Sequence, residues 1–107
     1  MKNASGKSQE FEARAKVFRA LGHPARLAML QALATGEQCV CELQELVGSD
    51  MSTVSKHLSV LKEAGVVSTR RKGSFAYYTL EMDCLPGFLD CVDAFLRQDL
   101  EARRAAL

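Results

Sequence analysis

The chain has 107 residues, of which 48% are hydrophobic and 25% are charged, a composition typical of a soluble globular protein. This length favours one domain and leaves no room for a second, ligand-binding domain. The sequence has neither an apolar run of about 18 residues nor a signal-peptide pattern, so we expect a cytoplasmic protein with no membrane partner.

The formal net charge of +1 hides an uneven distribution along the chain. Residues 51–80 carry five basic groups and one acidic group, whereas residues 81–107 carry three basic and six acidic groups. A basic stretch followed by an acidic one places the positive charge on a single part of the domain. Such a concentration is typical of a nucleic-acid-binding surface.

The elements begin after a polar segment, residues 1–8, that we expect to be flexible. Residues 9–105 form the predicted single domain. Apolar spacing predicts three helices first: Gln9 to Leu21, Pro24 to about Thr35, and Cys39 to Val47. The side chains expected to face inward are Phe11, Ala15, Phe18 and Leu21 in the first helix, and Leu43, Leu46 and Val47 in the third.

The fourth predicted helix follows Asp50, a suitable N-cap residue, and ends before Gly65. Its apolar positions are Val54, Leu58, Leu61 and Ala64, which share one helix face. The opposite face carries hydroxyl and ammonium groups that suit a DNA major groove. The alternative is an ordinary solvated face in an unrelated helical bundle. The preceding short helix favours a helix-turn-helix.

After Gly65 the pattern changes to that of a β-hairpin. Residues 66–71 and 75–80 are rich in β-branched and aromatic side chains, and Lys72-Gly73-Ser74 forms the turn between them. A hairpin with a basic tip after a helix-turn-helix is typical of the wing of a winged helix, whose cations contact phosphate or the minor groove. The alternative is a plain edge hairpin that Lys and Arg keep soluble.

The last predicted helix runs from Leu85 to Ala105 and carries a broad apolar band. This band exceeds what so small a domain can cover, which indicates a homodimer contact. The alternative is that the helix folds back on its own core. The expected fold class is mainly α with a β-hairpin wing (α+β), a winged helix-turn-helix that forms a homodimer through its terminal helices.

Four segments together resemble the ArsR/SmtB family of repressors: Leu21-Gly-His-Pro-Ala-Arg-Leu-Ala-Met-Leu30, Ser52-Thr-Val-Ser-Lys-His-Leu58, Leu61-Lys-Glu-Ala-Gly-Val-Val67, and Arg71-Lys-Gly73 through Tyr78-Thr-Leu80. The resemblance implies a dimeric repressor, not an enzyme, that binds double-stranded operator DNA and leaves it when an inducer binds. His57 matches a position that packs beneath the recognition helix. The residues that match DNA-facing positions are Met51, Ser52, Thr53, Ser55 and Lys56, and the expected wing contacts are Arg70, Arg71 and Lys72.

Cys39-Val40-Cys41 resembles the Cys-Val-Cys box of the arsenical sensors in this family. The resemblance implies As(III) or Sb(III) as inducer, with Cd or Pb as further thiophilic candidates and no permanently bound cofactor. The sequence departs from the three-thiolate box, because Gln44 stands where the box has its third cysteine. Cys84 and Cys91 are candidates for a third ligand, for partners in a disulfide or polysulfide switch, or for simple packing.

Two residues that lie two apart on a regular helix point about 200° away from each other. Cys39 and Cys41 can therefore reach one ion only in a distorted first turn, where the helix N-terminus also favours the thiolate form. The alternative function within the same fold is a repressor that senses thiol oxidation or persulfide. A thiol oxidoreductase is disfavoured, because the spacing is Cys-x-Cys and no thioredoxin-like pattern is present.

Overall fold

A computed structural model describes residues 4–106 of the chain. It contains the helices and strands expected of a winged helix-turn-helix, together with one additional short strand. In chain order they are a π-helical segment Ala4–Ser8, α1 (Gln9–Leu21), α2 (Pro24–Leu33), β1 (Gln38–Cys39), α3 (Val40–Val47), α4 (Met51–Glu63), β2 (Val67–Lys72), β3 (Phe75–Leu80) and α5 (Leu85–Ala106). The predicted fold class is confirmed for the mainly helical domain with its wing.

The core lies where α1, α2, α3, α4 and the start of α5 meet. Met29, Leu30, Leu43, Val54, Leu58 and Leu61 are completely inaccessible to solvent. Three of the four apolar positions that the periodicity predicts for α4 belong to this set, and the fourth, Ala64, is half-buried against the core. Burying each such side chain contributes about 1.5–3 kcal/mol, so α4 is held to the domain mainly by this apolar face.

Three side chains predicted to face inward do not. Phe11 is 54% exposed, Phe18 is 58% exposed and Leu46 is 53% exposed, whereas Leu21 and Leu43 are buried as expected. The prediction fails at these positions because periodicity identifies an apolar face but not what covers it. In α1 the buried residues are Ala20 and Leu21, at its C-terminal end, and Val17 packs against the core while partly exposed.

The ends of the helices are fixed by local hydrogen bonds. His23 caps α2, since its Nδ1 accepts a hydrogen bond from the Ala25 backbone N–H at 3.0 Å, and Pro24 occupies the first helical position. Asp50 caps α4 as predicted, accepting from the Thr53 N–H at 2.8 Å. Gly48 ends α3 with a φ of 77°, a left-handed conformation that favours glycine.

The three strands form one antiparallel sheet in the order β1-β3-β2. The hairpin of β2 and β3 agrees with the predicted wing. Strand β1 was not predicted; it pairs Gln38 with Tyr78 and Cys39 with Tyr77. Cys39 therefore belongs to the sheet, and the expectation that the third helix begins at Cys39 is corrected to Val40. A two-residue strand is too short to produce a recognisable alternation.

Helix α5 begins at Leu85, which is buried, and Leu89 packs against the core. Further along, Phe95, Leu96 and Leu100 are 63%, 55% and 53% exposed. The helix therefore does not fold back along its whole length onto its own core. Within residues 4–106, no helix combines the length and apolar character needed to span a membrane. Of the segment 1–8 predicted to be flexible, residues 1–3 lie outside the described residues.

Candidate functional site

The N-terminal half of α4 exposes all five side chains that match DNA-facing positions. We call this set the recognition face; its members are Met51, Ser52, Thr53, Ser55 and Lys56. It is exposed because α4 buries Val54, Leu58 and Leu61 on its other side. Short hydroxyl side chains and one ammonium group on an exposed helix face have the size and hydrogen-bonding capacity to reach base edges and phosphates in a major groove.

Asp50 fixes where the recognition face begins. Hydrogen bonds from Thr53 lower the pKa of the Asp50 carboxyl below its usual value, with a smaller contribution from the positive charge of Lys56. The ionised carboxylate also interacts favourably with the positive end of the α4 dipole. The cap therefore holds the first turn, and with it Met51 to Thr53, in a defined conformation.

The wing presents its cations at the turn end of the hairpin. Arg70, Arg71 and Lys72 are all exposed, and Gly73 makes the turn with a φ of 65°. Within residues 4–106, neither Arg71 nor Lys72 forms an ion pair. These two side chains are therefore available to contact phosphate.

Arg70 differs from its two neighbours because its guanidinium is bound to a carboxylate. It donates from Nε and Nη2 to the two oxygens of Glu37 at 2.8 and 2.9 Å. This hydrogen-bonded pair lowers the pKa of Glu37 and raises that of Arg70. Sequence reasoning missed Glu37, since 33 residues separate the partners and no local pattern connects them.

The structure brings the sulfur atoms of Cys39 and Cys41 to 2.6 Å from each other. Cys39 is the N-cap of α3, with an extended backbone (φ −73°, ψ 146°), and its Sγ accepts a hydrogen bond from the Cys41 N–H at 3.4 Å. The extended conformation turns the Cys39 side chain towards the start of the helix. This is the departure from regular helix that two sulfurs at this spacing need if they are to meet.

Both cysteines of this thiol pair are free, but their environments differ: Cys39 is 5% exposed and Cys41 lies at the surface. The backbone N–H of Cys39 donates to the Glu42 carboxylate at 2.8 Å, which completes the cap. The pKa of Cys41 is raised, above all by its hydrogen bond with the Cys39 sulfur. Backbone N–H groups at the helix N-terminus lower the pKa of Cys41, as expected, but the contact with Cys39 and burial outweigh them.

Cys84 and Cys91 lie elsewhere in the protomer, and both are exposed. Cys84 is in the turn before α5 and borders an apolar cavity of about 270 Å³ between α1 and α5. Among residues 4–106, no three His, Cys, Asp or Glu side chains are grouped closely enough to hold a metal ion. The thiol pair thus stands as two sulfurs without a third protein ligand inside the described chain.

His57 lies on the inner side of α4, where the resemblance places it. Its Nδ1 is 3.1 Å from the Arg26 Nη1, and its ring centroid is 4.4 Å from that of His23. Because a guanidinium can only donate, Nδ1 is the acceptor and the neutral ring carries its proton on Nε2. Burial, and then the nearby His23 and Arg26, lower the pKa of His57.

Arg26 extends the same contact to α1. Its Nε donates to the Ala20 carbonyl at 2.6 Å and its Nη2 to the Arg19 carbonyl at 3.1 Å. One side chain therefore satisfies carbonyl groups at the end of α1 while it contacts His57 on α4. The cluster fixes how α4 sits on the domain, which agrees with a structural position for His57.

Comparison with known proteins gives consistent matches. The family model described as bacterial regulatory protein, arsR family, matches residues 23–69. An HTH-type transcriptional regulator of Methanocaldococcus jannaschii is 35% identical over 86 residues, which cover 79% of this chain and 97% of that protein. A cadmium resistance transcriptional regulatory protein CadC homolog of Staphylococcus aureus is 35% identical, over 78% of this chain and 69% of that one.

Two further relatives extend these matches. The arsenic resistance transcriptional regulator ArsR1 of Pseudomonas putida is 37% identical, over 82% of this chain and 66% of that protein. The solution structure of a homodimeric winged helix-turn-helix DNA-binding domain from Mycobacterium bovis superimposes with a TM-score of 0.78 at 30% identity, covering 95% of each chain. The chain therefore belongs to the ArsR family and is a DNA-binding transcriptional regulator rather than an enzyme.

Proposed function

We propose that this regulator is a homodimeric repressor that binds operator DNA and releases it when a thiophilic ion, foremost As(III) or Sb(III), binds to Cys39 and Cys41. The observation that carries the proposal is the 2.6 Å separation of the two sulfur atoms at the N-cap of α3. Helix α3 is the first helix of the helix-turn-helix. An ion that takes both sulfurs therefore acts directly on the element that supports α4.

The exposed surface supports the DNA-binding half of this proposal. The recognition face is exposed on α4, and the wing places Arg71 and Lys72 at its turn end. Helix side chains that read base edges and wing cations that contact phosphate make complementary contributions, the first to specificity and the second to affinity. In a dimer, two α4 helices about 34 Å apart meet successive major grooves of a palindromic site.

The terminal helices support the homodimer. Phe18 of α1 lies against Phe88 of α5, with ring centroids 5.9 Å apart, so the two helices touch at this point. Beyond this contact, Phe95, Leu96 and Leu100 of α5 remain exposed. Exposed apolar side chains on adjoining helices favour association with a second copy. The M. bovis relative, whose structure is described as homodimeric, supports the same assembly.

The chemistry of the thiol pair favours a soft, thiophilic inducer. Arsenous acid, As(OH)₃, condenses with the two thiols to give a dithiolate that keeps one hydroxyl on arsenic, and two water molecules leave. Sb(III) reacts in the same way, whereas Cd and Pb are bound as divalent ions after the thiols lose their protons. Relatives described as arsenic and cadmium resistance regulators support this class of inducer.

Binding of an ion to the thiol pair changes the structure at the start of α3. The Cys39 sulfur accepts the Cys41 N–H in the free protein. Once that sulfur is bonded to an ion, it no longer serves as the same N-cap acceptor, and the first turn of α3 rearranges. Since α3 packs against α4 through Leu43, Val54 and Leu58 in a shared core, the change reaches the recognition face.

The test is a titration of the protein against a duplex selected from a random library, with and without arsenite. We expect arsenite to weaken wild-type binding at least about tenfold, or about 1.4 kcal/mol. Cys39→Ser and Cys41→Ser should bind the duplex normally and ignore arsenite. Cys84→Ser and Cys91→Ser are matched controls that lose the same atom elsewhere. Full release of the Cys39→Ser, Cys41→Ser double variant would overturn the proposal.

The closeness of the two sulfurs also favours a second function in the same fold, a repressor that senses thiol oxidation or persulfide. Peroxide would take two electrons and two protons from the thiols, leaving a Cys39–Cys41 disulfide and two molecules of water. Mass spectrometry distinguishes the two functions. Arsenite adds mass to the peptide that holds the thiol pair, oxidation removes two hydrogens from it, and a polysulfide adds sulfur.

A further inference from the structure

Glu37 lies two residues before Cys39, in the loop that leads into β1. Its carboxylate binds side chains of two strands, β2 and β3. It reaches across the sheet to Arg70 of β2, with both oxygens engaged at 2.8 and 2.9 Å, and the Thr79 hydroxyl of β3 donates to Oε2 at 3.5 Å. Glu37 is therefore joined to both strands of the wing, while its backbone adjoins the thiol pair.

We propose that Glu37 is a positioning residue that holds the wing through Arg70 and transmits the state of the thiol pair to it. This inference rests on the proposed function and assigns a route by which inducer binding alters DNA contact. The route begins at Cys39, which is both a β1 residue and the N-cap of α3. A rearrangement of Cys39 moves the preceding chain, and Glu37 carries the movement to the wing.

The geometry of the ion pair suits this role. A carboxylate that accepts from both Nε and Nη2 of an arginine fixes the guanidinium in orientation as well as in distance. Arg70 is opposite Tyr77 in the sheet register, and Tyr77 is itself opposite Cys39 on the other side of β3. The two backbone pairings thus connect Cys39, Tyr77 and Arg70, one position on each strand, and the ion pair joins Arg70 to Glu37, two residues before Cys39.

The ion pair also determines what Arg70 does for DNA binding. Lys72 and Arg71 follow immediately along β2 and carry the free positive charge of the wing. The positive charge of Arg70 is paired with the carboxylate of Glu37, whose side chain is 33% exposed. Its contribution is therefore to set the position of the two cations beyond it, and a displaced Glu37 would move them relative to α4.

The test compares Glu37→Gln with Glu81→Gln. Glu81 is a matched control: its carboxylate accepts from the Ser68 hydroxyl at 2.6 Å at the other end of β2, and the substitution removes the same charge. Three quantities are measured for each variant: arsenite affinity by calorimetry, and the Kd for the selected duplex without and with saturating arsenite. The release ratio is the second Kd divided by the first.

We expect Glu37→Gln to bind arsenite within about threefold of wild type while its release ratio falls by about tenfold. Glu81→Gln should keep the wild-type ratio. Arg70→Lys retains the charge but not the two-point contact, so it should lose release as Glu37→Gln does, and the double variant should lose no more than either single one.

The outcomes separate the two proposals. A Glu37→Gln protein that binds arsenite and releases DNA as fully as wild type would overturn this inference and leave the proposed function intact. A wild-type protein that arsenite binds without releasing DNA would overturn the proposed function and this inference together. Equal losses in Glu37→Gln and Glu81→Gln would also overturn the inference, because charge alone would then explain both.

Discussion

The two arginines of the wing should differ in how their removal changes the salt dependence of DNA binding. Arg71 is free of ion pairs within the described residues, whereas Arg70 is bound to Glu37 at two points. Each phosphate contact made by a cation contributes about 0.9 to the slope of log affinity against log salt concentration. In the proposed dimer, Arg71→Ala removes two contacts, so the slope should decrease by about 1.8.

This difference is large enough to measure. When the salt concentration rises from about 50 to 200 mM, both proteins lose affinity for DNA. With a slope smaller by about 1.8, the factor by which Arg71→Ala loses affinity is about twelvefold smaller than the factor for wild type. Arg70→Ala should change the slope by less than half as much. Fluorescence anisotropy with a labelled duplex at four or five salt concentrations gives the slopes directly, and Arg103→Ala on α5 serves as control.

Equal decreases for Arg70→Ala and Arg71→Ala would refute the reasoning. They would mean that Arg70 leaves Glu37 for a phosphate when DNA binds. An unchanged slope for Arg71→Ala would equally refute it, since the free cation would then make no phosphate contact. A slope near zero for the wild-type protein would contradict phosphate contact by any residue of this surface.

Three further predictions concern the fold and the assembly. Leu58 has no solvent exposure, so Leu58→Ala should lower the free energy of unfolding by about 2–5 kcal/mol in urea denaturation. Ser59→Ala, at the exposed neighbouring position, should change the free energy of unfolding little. Similar values for the two variants would contradict the assigned core. Because the folded state lowers the pKa of His57, the unfolded chain takes up the proton first as pH falls below about 6.5. The free energy of unfolding should therefore decrease as pH falls below this value and level off below the folded-state pKa. His57→Gln should make this pH dependence flatter, and a variant with an equally steep dependence would count against the prediction. Leu96→Glu should shift the protein towards monomer in sedimentation velocity, with Gln98→Glu as control, and an undisturbed dimer would exclude this part of α5 from the interface.

Local patterns predicted the elements whose cause is local. Helix α4 follows from the Asp50 cap and the spacing of Val54, Leu58 and Leu61, and all of these behave as expected. The hairpin follows from two β-prone runs around a glycine turn. In each case the signal lies within about a dozen residues, so the sequence alone is sufficient.

The features that escaped prediction depend on the tertiary arrangement. Strand β1 exists because β3 offers Gln38 and Cys39 a partner some 40 residues away in the chain, as the pairing of Gln38 with Tyr78 shows. The Glu37–Arg70 ion pair has the same origin. The exposure of Phe11 and Phe18 illustrates the converse, because a helix can carry an apolar face that its own domain leaves open.

The sequence predicted that Cys39 and Cys41 form a pair, but not that one is buried and the other exposed. Its spacing indicated that both sulfurs could meet only in an irregular first turn, and the extended Cys39 provides that turn. What spacing does not reveal is depth: Cys39 is 5% exposed, while Cys41 is at the surface. Burial depends on what β3 and the core place over Cys39, which the local sequence does not encode.

Under the proposed function, this difference in depth gives the two sulfurs different roles in inducer binding. Because Cys41 is exposed and Cys39 is buried, we expect an incoming inducer to react first with Cys41. In the proposed mechanism, only the second bond, to the sulfur of Cys39, would disturb a residue that caps α3 and pairs with β3. The proposed mechanism therefore predicts that a compound able to form only one bond, such as an alkylating agent, modifies the protein without releasing it from DNA.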